Sequence, residues 1–178
     1  MALKPTIYKF EISLSDLDRE RYDSLKLTVA LHPSESLERM MARVIAFCLN
    51  ADERLEFTRG LSETSEPDIW THSLDGQVLL WIDIGEPSLE RLKKAVGLAD
   101  RVCVYSFNSK SDTWWHQSES ALNRLPVAVY QFPNESVREL AKLVERTMEM
   151  SVTITEGNAY IATQLGECEL PCRHLSLV

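Results

Sequence analysis

The run Val78-Leu79-Leu80-Trp81-Ile82-Asp83-Ile84 is apolar on both alternating faces. A strand of that kind is covered on both sides, so it reads as an interior strand of a sheet. Asp83 interrupts one of those faces. A carboxylate at the end of a buried strand marks a candidate site, because an unpaired buried charge is costly.

The preceding segment, Glu66-Pro67-Asp68-Ile69-Trp70-Thr71-His72-Ser73-Leu74, reads as a second strand, joined to the first by Asp75-Gly76. That dipeptide predicts a two-residue type I′ hairpin turn, which sets the register. Leu74 then faces Gln77, Trp70 faces Trp81 and Asp68 faces Asp83. The period of two places Asp68, Trp70 and His72 on one face with Leu79, Trp81 and Asp83. The two aspartates are thereby brought side by side, with Cβ atoms roughly 5 Å apart. At that separation they repel by about 3 kcal/mol at an effective dielectric of 20. Solvent, a raised pKa, a basic neighbour or a divalent cation has to compensate. Mg²⁺ or Mn²⁺ suits oxygen ligands of this kind, and such an ion would activate water beside a phosphate.

Strand, helix and strand patterns alternate downstream. A helix from Ser88 to about Leu98 buries Leu89, Leu92, Val96 and Ala99, and strand 101–107 follows. A second helix carries Trp114 and Trp115 to about Leu122, ahead of strand Val127–Phe132. Such closely linked units predict right-handed crossovers with parallel strands. Upstream, residues 6–14 and 25–31 alternate as an antiparallel pair. Ser34 is the expected N-cap of a helix reaching about Asn50. Residues 51–66 read as mostly irregular. A further helix from Asn134 to Glu145 precedes strands 147–155 and 159–164, joined near Gly157-Asn158. The expected fold is α/β, a mixed central β-sheet flanked by helices with additional β-hairpins at both chain ends. At 178 residues and 44% hydrophobic, a single domain over 1–178 is the default.

The formal charge of −8 argues against a broad basic nucleic-acid surface and leaves room for a local cleft. The first ten residues lack a signal-peptide pattern, no apolar run has transmembrane length, and the four cysteines are too sparse for a disulfide framework. These features predict a cytoplasmic protein with no membrane association. Cys168-x3-Cys172-x-His174 lacks a recognised zinc spacing and reads as an ordinary terminal segment. Arg39, Arg43 and Arg59 are candidate phosphate contacts, with ion pairs to neighbouring acids the simpler account for the first two.

Several motifs occur in order along nearly the whole chain: His32-Pro33-Ser34-Glu35, Glu38-Arg39-Met40-Met41-x-Arg43, Ala51-Asp52-Glu53-Arg54-Leu55-x-Phe57-Thr58-Arg59-Gly60-Leu61, Glu66-Pro67-Asp68-x-Trp70, Trp81-Ile82-Asp83-Ile84-Gly85 and Lys93-Lys94-Ala95. With Met1-Ala2-Leu3-Lys4 at the start and Arg146-Thr147-Met148 late in the chain, they resemble the bacterial YaeQ family. The resemblance implies a compact variation of the PD-(D/E)XK nuclease fold. By that resemblance Asp68 and Asp83 are the metal carboxylates and catalytic acids, and Glu38 is the helical carboxylate that joins them. Gly85 stands where the superfamily's lysine belongs, so Lys93 or Lys94 is the expected migrated lysine. The implied activity is Mg²⁺- or Mn²⁺-dependent hydrolysis of phosphodiester bonds in nucleic acid. The alternative is a nuclease-fold protein with an impaired site, acting as a binding or regulatory module.

Overall fold

The computed structural model describes residues 3–178, and the opening Met1-Ala2 of the family-like pattern lies outside them. In chain order the elements are strands β1 (Thr6–Asp16) and β2 (Arg21–Leu31), helix α1 (Leu37–Leu49), strand β3 (Glu56–Phe57), a 3₁₀ turn (Gly60–Ser62), strands β4 (Ile69–His72) and β5 (Val78–Ile84), helix α2 (Leu89–Leu98), strand β6 (Ala99–Ser106), helix α3 (Ser111–Leu122), strand β7 (Val127–Gln131), helix α4 (Asn134–Ala141), and strands β8 (Thr147–Thr155), β9 (Asn158–Thr163), β10 (Gly166–Leu170) and β11 (Arg173–His174). The mixed α/β class is as expected. The strands form two mixed sheets rather than one, and the chain divides into two compact units.

One unit holds the residues up to Leu49 together with Pro133–Cys172. Its sheet has the order β10-β9-β8-β1-β2. The hairpin β1–β2 runs without a bulge from Thr6 opposite Leu31 to Asp16 opposite Arg21. Both terminal hairpins are as predicted, and β1 joins them by pairing parallel with β8, Lys9 against Thr147 through Asp16 against Ile154. Alternation sorts their side chains. Phe10, Ile12, Leu14, Met148, Met150, Val152 and Ile154 are buried, while Lys9, Glu11, Ser13, Thr147, Glu149 and Ser151 are exposed. The β8–β9 turn lies one position earlier than expected, at Glu156-Gly157. Both residues have positive φ (52° and 78°), and Asp18 carboxylate oxygens accept both N–H groups at 2.8 Å. Helix α1 is buried from Met40 to Cys48. Its N-terminus is capped by Ser36, whose hydroxyl accepts the Arg39 N–H at 3.1 Å. The predicted cap Ser34 bonds His32 Nδ1 instead, at 2.7 Å.

The other unit comprises Asn50–Phe132 and Arg173–Val178. Its sheet has the order β11-β7-β6-β5-β4-β3, with β5, β6 and β7 parallel. The two expected crossovers supply α2 and α3. Trp81, Val102, Val104, Val127 and Val129 from the strands form a buried cluster with Leu92 and Ala95 of α2 and Leu122 of α3. Ser88 caps α2, its hydroxyl accepting the Arg91 N–H at 3.2 Å.

The hairpin β4–β5 departs instructively from its expected turn. Gly76 N–H bonds the Ser73 carbonyl at 3.1 Å, and Ser73 N–H bonds the Gln77 carbonyl at 2.8 Å. Gly76 has φ 88°, and Asp75 is not among the positive-φ residues. A type I′ turn needs both, so this is a three-residue loop with Gly76 as its left-handed residue. The extra loop residue shifts the register, placing His72 opposite Val78. A bulge beyond them restores it, so Thr71 faces Leu80, Trp70 faces Trp81 and Ile69 faces Ile82. The expected pairing therefore holds near the aspartates even though the turn differs.

Candidate functional site

Asp83 sits at the inner end of β5, 3% exposed. Helix α2 begins after the Gly85–Ser88 break and brings Arg91 against it. Arg91 Nε donates to Asp83 Oδ2 at 2.8 Å and Nη2 donates to Oδ1 at 3.0 Å. That is a two-pronged guanidinium–carboxylate pair. The same guanidinium donates to the Thr64 carbonyl at 2.6 Å and the Glu66 carbonyl at 2.8 Å, and lies 5.6 Å from the centre of the Trp81 ring. Burial pushes the Asp83 carboxyl above its ordinary value of 3.8. The Arg91 bonds and charge oppose that rise, and the charge of Asp68 adds to it. The Trp81 indole N–H favours the Asp83 anion only weakly; it is buried and reaches no hydrogen-bond partner among the described residues.

Asp68 is 6% exposed and precedes β4. Its Oδ2 accepts the Ile84 N–H at 2.8 Å, its own N–H donates to the Ile82 carbonyl at 3.0 Å, and its carbonyl accepts the Thr58 N–H at 3.1 Å. The carboxylate thus takes part in the hairpin's backbone bonding. Gly85 follows with φ 113°. A Cβ at 85 would meet only Phe107, at an ordinary contact of 3.9 Å, so the strain of that φ, rather than crowding at the Cβ, disfavours a lysine there.

The structure brings together Asp68, Asp83 and Arg91. Lys93 and Lys94 are both exposed on α2. Glu38 is half-buried in the first turn of α1, in the other unit. Among the described residues no group of three or more His, Cys, Asp or Glu side chains is arranged to hold a metal ion. With both Asp83 oxygens accepting from Arg91 and an Asp68 oxygen accepting from Ile84, the donor set as folded fits a guanidinium rather than a dication.

Other polar and aromatic side chains that the sequence brings out have local partners. His72 packs edge-on to Trp70, ring centres 4.5 Å apart. Trp114 and Trp115 are half-buried against the α2–α3 cluster. Arg59 is bound to Glu66 at 2.7 Å on the surface. Arg43 is buried, and the ion pairs expected for it and Arg39 are both made to Glu35. Arg43 Nε and Nη2 grip Glu35 at 2.9 and 2.6 Å, and Arg39 adds a third bond at 2.6 Å. Cys48 and Cys103 are buried.

Sequence reasoning missed Arg91, although one signal was available: it lies two positions before Lys93, in the first turn of a helix leaving the Asp83 strand. It also missed a polar network where the parallel strands end. There Ser106 donates to Glu86 at 2.7 Å and bonds Ser111, and Gln131 donates to Ser111 at 2.8 Å and Asp112 at 2.7 Å. These polar groups satisfy one another and tie the start of α3 to β6 and β7.

The family model described as YaeQ protein matches residues 1–172. This chain belongs to the YaeQ family. It is 38% identical over 172 residues to the uncharacterized protein YaeQ of Salmonella typhi and 37% identical to that of Escherichia coli K12, covering 96% of this chain and 95% of each relative. The crystal structure of YaeQ protein from Xanthomonas axonopodis pv. citri superposes with a TM-score of 0.93 at 35% identity, over 97% of this chain and 98% of that one. The YaeQ structure from Pseudomonas syringae gives 0.91 at 37% identity, over 96% of both chains. Among the described residues of this YaeQ-family chain, no helix is long and apolar enough to cross a membrane.

Proposed function

We propose that this chain is a nuclease-fold protein whose acid pair is closed by its own arginine, and that it works as a binding or regulatory module. The observation carrying the reading is the Arg91 fork on both oxygens of Asp83. An arginine cannot be deprotonated and supplies donors only, so it neutralises a carboxylate without providing the activated water that a metal supplies.

A second reading is the Mg²⁺- or Mn²⁺-dependent nuclease, cytoplasmic and reaching nucleic acid through a local cleft. One observation favours it: Asp68 is buried beside Asp83, and its charge still raises the Asp83 pKa. That leaves electrostatic room for a dication exchanging with Arg91. Thermal unfolding with and without millimolar Mn²⁺, in wild type, Arg91→Ala and Asp83→Ala, separates the two. The binding-module reading expects no Mn²⁺ shift in wild type and no metal-dependent cleavage of single- or double-stranded DNA or RNA. A Mn²⁺ shift with cleavage, both lost in Asp83→Ala, overturns it.

A further inference from the structure

We infer that the outer edge of β2 is a self-pairing surface, through which two copies of this chain join their five-stranded sheets. The two sheets end in four outer strands. Strands β3 and β11 have two residues each, and β10 has five with α4 beside it, Cys168 Sγ lying 3.6 Å from the Ser136 carbonyl. Short or covered edges are how proteins avoid strand-to-strand association. Strand β2 has eleven residues, no proline and no bulge.

The ladder shows which groups face outward. The Lys9 and Leu17 N–H groups point to the β8 side, bonding Arg146 and Ile154 carbonyls at 2.8 Å, and Arg146 Nε reaches the Ile7 carbonyl at 3.0 Å. Alternate residues of an antiparallel strand turn their polar groups to opposite sides. The β2 residues facing odd-numbered β1 positions, Tyr22, Ser24, Lys26, Thr28 and Ala30, therefore direct theirs away from β1. The Ala30 carbonyl is taken by Arg43 Nη2 at 2.9 Å. The other four residues are exposed.

The same edge leaves apolar surface uncovered. Leu25 and Leu27 are half-buried, whereas their β1 partners Ile12 and Phe10 are 1% exposed. An added strand that covers them needs apolar residues on one face and polar residues on the other, and β2 has that alternation itself. Of the antiparallel β2–β2 registers that keep like faces together, the fullest overlap sets Lys26 against the partner's Lys26, which like charge disfavours. Two registers follow with equal overlap; the one centred on Leu27 needs Ala30, whose carbonyl Arg43 already takes, and the other centres on Leu25 against the partner's Leu25. It pairs Ser24 with the partner's Lys26 and Tyr22 with the partner's Thr28, each pair exchanging two backbone bonds. One added strand is a small interface, so association belongs at high protein concentration.

Light scattering across a concentration series, with Ser24→Lys and Ser24→Glu, tests both the edge and the register. Wild type should gain mass toward a dimer, with the lysine variant weakening and the glutamate variant strengthening association by roughly tenfold each. Leu25→Cys should give a covalent dimer under mild oxidation, since opposed non-bonded pairs have Cα atoms about 4.5 Å apart; wild type and Lys26→Cys should not. A single-chain mass throughout, with Leu25→Cys cross-linking no faster than wild type, overturns the inference and leaves an extended segment of another protein as the occupant. Charge variants that shift association in the same direction overturn it too.

Discussion

Each unit of this chain buries an acid beside an arginine fork, and the two arrangements are balanced differently. In the α1 unit one carboxylate, Glu35, is held by Arg43 and Arg39, with the acid 1% and Arg43 6% exposed at the side chain. In the parallel-sheet unit Asp83 is held by Arg91, which is 31% exposed, and the Asp68 carboxylate is a neighbouring anion. The first group carries one excess positive charge and the second one excess negative charge. Both satisfy hydrogen-bond geometry, and in the second, burial and the neighbouring anion outweigh the arginine at Asp83. The lesson is that a closed ion pair and an electrostatically satisfied site are different things.

The largest effect expected is from Arg43→Met, which keeps apolar bulk but leaves Glu35 buried and the Ala30 carbonyl without its donor. Chemical denaturation should show a loss of about 3–4 kcal/mol. Arg91→Ala should cost less, roughly 2 kcal/mol, because its guanidinium is partly solvated. A loss equal to that of Arg43→Met would erase the contrast between the two sites.

The pH response sharpens the comparison. The folded Asp83 pKa lies above its unfolded value, so the folded chain binds more protons at this group. Its contribution is fully present below 3.8 and is lost as pH rises through the raised folded value. Stability of wild type relative to Asp83→Asn, followed by urea denaturation from acid upward, should therefore fall across that window. A rising difference would mean that Arg91 wins over burial. The smallest effect is expected from Lys93→Ala and Lys94→Ala, within about 0.5 kcal/mol each and with the Asp83 titration unmoved. A displaced titration in either variant would bring that lysine back to the acid pair.

Much of the architecture was legible because it rests on local periodicity. The apolar β5 run, the two helices after it and the strands at 101–107 and 127–132 pointed to the parallel order found. Trp70 opposite Trp81 was legible too, although by a route in which the loop and the bulge compensate. The missing type I′ turn was not legible, since Asp-Gly serves equally in a longer loop whose single left-handed residue is the glycine. Strand β10 escaped notice because Gly166-Glu167-Cys168-Glu169-Leu170 pairs through its backbone and has little apolar alternation to announce it.

The sequence by itself determined which residues prefer strand or helix, that Asp68 and Asp83 lie across one hairpin from each other, and that the chain belongs with the YaeQ family. Tertiary structure decided the rest. The parallel contact of β1 with β8 unites segments more than a hundred residues apart, and it divides the strands between two sheets. It also decided which cation meets Asp83. Arg91, Lys93 and Lys94 are alike as charges on a helix, and the packing of α2 beside β5 sets the first against the acid and leaves the other two exposed.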